Sequence, residues 1–123
     1  MANEEDFREL IVWRKAIEMT KNVYRITQRL PDSERFGMMS QMRRAAVSVP
    51  SNIAEGNARE TVKDYLKFLV TARGSLAEVE TQFIIATELK MLDDTAFVLA
   101  AINEVKRILQ GLILSLRRRM RGK

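Results

Sequence analysis

Apolar residues recur along most of this chain at alternating steps of three and four positions, in four separate segments. Because an α-helix has about 3.6 residues per turn, such steps place one apolar stripe on one face of a helix. Little of the chain alternates with the period of two that is typical of strands. The pattern therefore predicts an all-α protein with four amphipathic helices. The stripe positions are, in chain order, Val12, Ala16, Met19, Val23, Ile26 and Leu30; Met39, Met42, Ala46, Val49 and Ile53; Tyr65, Leu69, Ala72, Leu76, Val79, Phe83 and Ala86; and Ile102, Val105, Leu109, Leu112 and Leu116.

Each predicted helix ends where a proline, a glycine or a short polar residue interrupts the apolar pattern. Pro31 disfavours helical geometry in the residue before it and ends the first helix, and Gly56 can close the second helix in a left-handed conformation. Asp, Ser and Thr side chains accept hydrogen bonds from the first amides of a helix. The candidate caps of this kind are Asp32 or Ser33, Thr61 with Asp64, and Asp93 or Asp94. The predicted helices span about 8–29, 33–56, 61–90 and 94–119.

The connections between the predicted helices are short, so consecutive helices are expected to run antiparallel, as an up-down-up-down four-helix bundle. A chain of 123 residues has the usual length of one domain, and we expect residues 1–123 to fold as a single unit. Further apolar residues lie beside the stripes of the first, third and fourth helices. They either widen the surface that faces the core or form a second interface between subunits. These residues are Trp13, Ile17, Tyr24, Phe68, Ile85, Leu89, Ile113 and Leu114.

The absence of cysteine and histidine removes several classes of chemistry. Without Cys there is no disulfide and no thiolate ligand or nucleophile, and without His there is no Ser-His-Asp triad and no Glu-x-x-His pair for a di-iron centre. Arg73, Glu78 and Glu80 lie close together on the third predicted helix. Without a nucleophile, a phosphate loop or a set of metal ligands beside them, they are expected to form ion pairs between helices or subunits. We therefore expect no enzymatic activity and no cofactor or metal.

Several features of the sequence predict a cytoplasmic protein. The lack of Cys fits a reducing compartment, and residues 1–10 are acidic and lack the apolar run of a secretory signal. The longest apolar runs are a few residues long, far short of the ~18 residues that a membrane span needs. We expect no membrane partner, since the last helix also lacks a distinct basic amphipathic face.

The positive charge of the chain is concentrated at its C-terminal end. The sequence has 21 basic and 16 acidic residues, and five of the basic ones lie in the acid-free tail 117–123. These side chains either stabilise a helix C-terminus, where the dipole is negative, or contact the phosphates of a nucleic acid. No aromatic residue lies among them, which argues against recognition of bases. The candidate nucleic-acid-binding residues of the tail are Arg117, Arg118, Arg119, Arg121 and Lys123.

The segment Ser40–Gly56, SQMRRAAVSVPSNIAEG, combines an arginine pair, small residues and a proline on one predicted helix. Pro50 removes a backbone donor and is expected to kink the helix. Arg43 and Arg44 either join a polar network that holds the kink or form an anion or nucleic-acid site, and both interpretations remain open. The expected members of the structural polar network are Ser48, Asn52 and Glu55.

Glycines in two other helices are expected to mark close contacts. Gly74 and Gly111 lie inside the third and fourth predicted helices. A glycine at such a position costs about 1 kcal/mol relative to alanine, so the close approach of another backbone is the expected compensation.

Three segments, Leu10–Ala16, Ser40–Gly56 and Ala72–Gln82, together resemble the 23S rRNA intervening-sequence protein family, the bacterial four helix bundle proteins. The resemblance extends from about Phe7 to Leu116 and is most specific in the stretch RRAAVSVPSNIAEG. It implies a four-helix bundle that assembles as a homopentameric ring. It also implies a fold similar to the accessory variability protein of diversity-generating retroelements, a basic pentameric barrel that binds a reverse transcriptase and nucleic acid. The arginine-rich tail is less typical of the family.

A pentamer would bring five basic tails into one assembly, and such a field attracts RNA or DNA far more strongly than one tail does. We therefore expect a non-enzymatic homo-oligomer that binds RNA or a ribonucleoprotein through its basic surface, without strong sequence specificity. The alternative is a docking scaffold for a protein partner, such as a reverse transcriptase, with no physiological role in binding nucleic acid.

Overall fold

A computed structural model of the chain describes residues 6–122. Four α-helices account for most of these residues, and no strand occurs among them. The predicted all-α class is therefore confirmed. The helices are α1 (Ile11–Thr27), α2 (Met38–Asn57), α3 (Val62–Glu88) and α4 (Ala96–Arg121), with one-turn 3-10 helices at Phe7–Glu9 and Asp32–Glu34.

Each helix packs against its neighbours in the chain, and α4 also packs against α1. Within the described residues the backbones of α1 and α3, and those of α2 and α4, do not approach each other closely, so the four helices occupy the corners of a square. Two hydrogen bonds give the direction of α3 relative to α4, since Arg73 reaches Gln110 whereas Glu80, further along α3, reaches Lys106. The pairs Ser48–Ser75 and Asn57–Tyr65 show the same antiparallel relation for α2 and α3. The chain therefore forms a four-helix bundle.

The predicted apolar stripes form the core of this bundle. All of their residues are buried except Ile26, Met39 and Leu112, which are partly buried. In α4 the stripe passes through Ile113, which is fully buried, rather than through Leu112. The prediction that Ile113 lies beside the stripe is wrong, because a step of four from Leu109 keeps it on the face that meets α1 and α3.

Most of the other surplus apolar side chains lie outside the core. Tyr24, Ile85, Leu89 and Leu114 are exposed, and the remaining ones on α1 and α3 are partly buried. The exposed four do not widen the surface that faces the core. Contact with another molecule stays a prediction for them.

The start of α2 differs from the predicted one. Asp32 and Ser33 do not cap α2, because residues 32–34 form a separate 3-10 helix and α2 begins at Met38, after Gly37. The Glu34 carboxylate instead accepts a hydrogen bond from the Met38 amide, at 3.3 Å. A residue four positions before the helix thus satisfies one of its free amides.

The N-terminal cap predicted from the sequence is correct for α3 and wrong for α4. The Thr61 hydroxyl accepts a hydrogen bond from the Asp64 amide at 3.1 Å, which confirms the predicted cap of α3. Helix α4 begins after Thr95 without a side-chain cap, so the predicted caps Asp93 and Asp94 are wrong. The physical reason is a turn before the helix, since Asp94 has a left-handed backbone with φ of 53°.

The close backbone approach lies at Gly56 rather than at the other helical glycines. Gly56 is the next-to-last residue of α2 and lacks the predicted left-handed conformation. A Cβ atom at this position would lie 2.8 Å from the Phe68 Cβ and 3.2 Å from the Tyr65 carbonyl oxygen of α3. Gly74 and Gly111 are exposed, and a Cβ there would meet nothing within 4 Å. The predicted close contacts at those two glycines are therefore wrong.

Helix α2 runs through Pro50 as one helix, and α1 compensates for the missing backbone donor. In a regular helix the amide of residue 50 would bond to the carbonyl of Ala46. The Thr20 hydroxyl lies 3.2 Å from that carbonyl oxygen and 2.8 Å from the carbonyl oxygen of Ala16, and it shares one proton between them. The proline in α2 and the threonine in α1 therefore form one structural unit.

We predict opposite effects for alanine at two glycines. Gly56→Ala places a methyl group against α3 and is expected to destabilise the protein by about 1–3 kcal/mol. Gly74→Ala is the matched control, because its methyl group meets no neighbouring atom. It lowers the backbone entropy of the unfolded chain and is expected to stabilise the protein by about 0.5–1 kcal/mol. Urea denaturation measures both free energies of unfolding, and a loss of stability in the Gly74 variant would contradict this account.

We predict energetic coupling between Thr20 and Pro50. Thr20→Val removes the bond to Ala46 and is expected to cost about 1 kcal/mol. In a Pro50→Ala background the cost falls, because the alanine amide restores a donor to Ala46. Thr81→Val serves as the control, since the Thr81 hydroxyl bonds only within its own helix. A double-mutant cycle by chemical denaturation measures the coupling, and additive effects of the two substitutions would contradict it.

Candidate nucleic-acid interface

The basic tail is a continuation of α4. The helix extends to Arg121, so the predicted end at residue 119 is two residues early. Arg118, Arg119 and Arg121 are exposed, whereas Arg117 is partly buried against α3. Lys123, the last predicted residue of this group, lies outside the described residues.

Two lysines of α3, which the sequence analysis missed, stand beside the tail. Lys63, Lys67 and Arg117 line one groove of about 550 Å³ between α3 and α4. The pairing of Arg73 with Gln110 and of Glu80 with Lys106 fixes the register that brings Lys67 level with Arg117. The predicted antiparallel order of α3 and α4 could have identified these lysines, because it places the start of α3 beside the end of α4. We call this the tail groove, and its lining residues are Lys63, Leu66, Lys67, Val70, Thr71, Arg117 and Met120.

The charge of the tail groove is mostly free to act on a ligand. The Asp64 carboxylate lies 3.8 Å from the Lys67 ammonium, and this ion pair is weak and exposed. Lys63 and Arg117 form no ion pair within residues 6–122. The floor of the groove is aliphatic and contains no ring. Such a surface attracts anions and offers nothing that distinguishes one base from another.

Arg43 connects α2 to the end of α1. Its Nε donates to the Thr27 hydroxyl at 2.9 Å, and its Nη2 donates to the Tyr24 carbonyl at 3.1 Å. Its guanidinium carbon also lies 4.5 Å from the centre of the Tyr24 ring, within the range of a cation–π contact. These contacts favour the structural interpretation for Arg43, because its donors already serve the last turn of α1.

Arg44 has a different environment. It is exposed and makes no hydrogen bond or ion pair to another side chain in the described part of the chain. It stands at the rim of an open concavity of about 420 Å³ formed by α2, the end of α1 and the turn between them. We call this the arginine concavity, and it is lined by Tyr24, Arg35, Phe36, Met39, Ser40, Arg43 and Arg44.

The predicted polar network is confirmed in part. The Asn52 amide donates to the Ser48 carbonyl at 2.8 Å and to the Ser48 hydroxyl at 2.9 Å. That hydroxyl lies 2.8 Å from the hydroxyl of Ser75 on α3, a member that the sequence analysis missed. Glu55 does not belong to the network, because it points outward and pairs with Arg59 at 3.4 Å. Arg43 and Arg44 do not belong to this network either.

Of the three charged residues predicted to form ion pairs from α3, two bond to α4, whereas Glu78 accepts a hydrogen bond from Gln82 of its own helix at 3.4 Å. Glu80 and Lys106 form an ion pair at 2.7 Å, as predicted for Glu80. Arg73 donates to the amide oxygen of Gln110 at 3.0 Å instead of forming an ion pair. Among residues 6–122 no group of three Asp, Glu, His or Cys side chains could hold a metal ion. None of the described helices is long and apolar enough to cross a membrane.

The structure separates the two predicted sets of arginines. Arg44 lies near the start of α2, and Arg117 lies near the end of α4. Because α2 and α4 are both antiparallel to α3, they run in the same direction. Arg44 and Arg117 therefore lie toward opposite ends of the bundle. The arginine concavity and the tail groove are therefore two surfaces rather than one site.

Fold and surface together define an all-helical bundle with one basic groove and one arginine-lined concavity. A model of the 23S rRNA-intervening sequence protein family matches residues 8–111. The chain therefore belongs to this family. None of the curated proteins compared with the chain matches it. The family match contains the arginine concavity and the Ser48–Asn52 network, whereas Arg117 and the rest of the tail lie beyond it.

We predict different consequences for the two neighbouring arginines. Arg43→Gln removes donors from the end of α1 and is expected to cost about 1–2 kcal/mol of unfolding free energy. Arg44→Gln, the matched control, is expected to change that free energy by less than about 0.5 kcal/mol. Thermal or urea unfolding followed by circular dichroism measures both. Equal stability of the two variants would show that the contacts of Arg43 do not hold α1 to α2.

Proposed function

We propose that the protein is a non-enzymatic, cytoplasmic homo-oligomer that binds RNA through the basic end of α4, without strong sequence specificity. The single observation that supports this most is the tail groove, in which Lys63 and Lys67 of α3 add to the positive charge of Arg117. The exposed Arg118, Arg119 and Arg121 extend the same charged end into solvent.

The chemistry of this surface suits a phosphate backbone. Each phosphate that a Lys or Arg neutralises releases condensed counterions, and this release drives binding at low salt. The groove offers aliphatic walls and cations but no ring on which a base could stack. Binding that depends on charge rather than on base identity follows from these two properties. RNA bound within a ribonucleoprotein presents the same phosphates, and so does DNA.

Assembly into a homopentamer, which the family resemblance implies, is part of the proposal. Exposed apolar side chains such as Ile84 and Ile85 on α3, Leu89 directly after α3 and Leu114 on α4 supply surface for contacts between copies. A closed ring needs two different faces on each subunit. Five basic ends on one assembly bind a polyanion with much higher avidity than one end does.

The same exposed apolar side chains favour a second candidate function. Leu89 is 61% exposed and Phe97 is 71% exposed, and large apolar groups of this kind are typical of protein interfaces. On this hypothesis the bundle is a docking scaffold for a protein such as a reverse transcriptase. Purification from native extract distinguishes the two functions, since a scaffold retains a protein partner after nuclease treatment and an RNA-binding protein does not need one.

We predict that the tail sets the salt dependence of RNA binding. The triple variant Arg118→Gln, Arg119→Gln, Arg121→Gln is expected to bind single-stranded RNA more weakly than the wild type at low salt. The slope of log affinity against log salt is expected to become shallower by about two, since each phosphate contact contributes about 0.7. Fluorescence anisotropy with a labelled RNA over a range of salt concentrations measures both quantities.

The control for this experiment removes three exposed basic residues from other parts of the bundle. The variant Lys21→Gln, Arg25→Gln, Arg107→Gln has the same net charge as the tail variant. It is expected to retain the wild-type slope. If both triple variants lose the same slope, the binding follows net charge alone, and the tail is not the binding surface.

A further inference from the structure

The arginine concavity has a chemical character that the tail groove lacks. Three arginines, one tyrosine and one phenylalanine line it, and none of its lining residues is acidic. Its volume of about 420 Å³ lies within the range of small-ligand sites, about 300–1,000 Å³. Cations and aromatic rings on one concave surface are the two components of single-strand nucleic-acid sites.

The three arginines of the concavity divide into one fixed and two free groups. Arg43 is held by Thr27 and by the carbonyl and ring of Tyr24, and it therefore forms an ordered wall. Arg35 and Arg44 are exposed and form no ion pair within the described residues. These two guanidinium groups are available to a ligand, and their planar donors suit the oxygen atoms of a phosphate.

Phe36 is the most exposed large apolar side chain among the described residues, at 90%. Its ring stands at the edge of the concavity, with the Arg35 guanidinium carbon 5.9 Å from its centre. The nearby Glu34 carboxylate accepts from the Met38 amide, so that its charge is directed at the start of α2. An aromatic ring that is almost wholly exposed beside unpaired cations offers a stacking surface for a base.

We propose that the arginine concavity binds one nucleotide of single-stranded RNA, with the base stacked on Phe36 and the phosphate held by Arg35 and Arg44. Ser40 also lines the concavity, and its hydroxyl adds a hydrogen-bonding group to the proposed site. The inference rests on the proposed function only in that RNA is the ligand, because this site lies at the other end of the bundle from the tail. It differs from the tail groove in requiring a base as well as a charge.

The test compares two ligands of equal charge. Ten-nucleotide oligoadenylate and an abasic ten-unit oligomer of the same backbone are titrated by fluorescence anisotropy. Phe36→Leu is expected to weaken binding of oligoadenylate by about fivefold or more, where fivefold is the lower end of the range for loss of one stacked base. The affinity for the abasic oligomer is expected to stay unchanged. Arg44→Gln is expected to weaken binding of both oligomers.

Two substitutions elsewhere serve as matched controls. Phe97→Leu removes another ring, 71% exposed, at the start of α4, and Arg107→Gln removes another exposed arginine of the same helix. Both are expected to bind the two oligomers as the wild type does. An unchanged affinity in Phe36→Leu, or an equal loss for both oligomers, would overturn the proposal.

Light scattering of the same variants separates this site from contacts between copies of the chain. If Phe36→Leu changes the mass of the assembly, the ring belongs to an interface between subunits, and the nucleotide site is overturned. The tail triple variant distinguishes the two proposals. If it binds like the wild type while Phe36→Leu loses affinity for oligoadenylate alone, the tail proposal fails and the nucleotide site stands. If only the tail variant loses affinity, the nucleotide site fails and the tail proposal stands.

Discussion

The close packing of α2 between α1 and α3 is the constraint on which the rest of the structure depends. Gly56 lets the end of α2 touch α3, and the Ser48–Ser75 hydrogen bond holds the same two helices together about two turns earlier in α2. On the other side, Thr20 of α1 serves the carbonyl that Pro50 leaves without a helical donor. These contacts are polar or backbone contacts with fixed positions, so they specify register in a core whose apolar groups alone would tolerate sliding.

The existence and type of the helices could be predicted from the sequence because burial requires a stripe, and a stripe has a period. The ends were less predictable because they depend on neighbouring segments. Asp32 looks like a cap, but the turn after Leu30 winds into a 3-10 helix and moves the start of α2 to Met38. Gly74 looks like a contact point, yet glycine in a helix leaves the same sequence pattern whether it faces a neighbour or solvent.

The candidate sites show the same division. The tail arginines are nearly contiguous in sequence, so their shared charge can be predicted from it, whereas Lys63 and Lys67 join them only through the register of α3 against α4. Arg43 and Arg44 are adjacent in sequence, but a rotation of about 100° per residue sends one to α1 and leaves the other in solvent. Sequence alone therefore identifies the charged residues more readily than their partners.

The exposed glycines of α3 and α4, Gly74 and Gly111, lie at the same level along the bundle axis. Gly74 follows Arg73 and Gly111 follows Gln110, and the side chains of Arg73 and Gln110 are hydrogen-bonded to each other at 3.0 Å. At this level both helices present bare backbone to water on their outer sides. Water competes best for helical carbonyls where no side chain shields them. At this level the α3–α4 pair thus exposes helical carbonyl oxygens to water on its outer side, while Ala72, Leu76 and Leu109 close the inner side against the core.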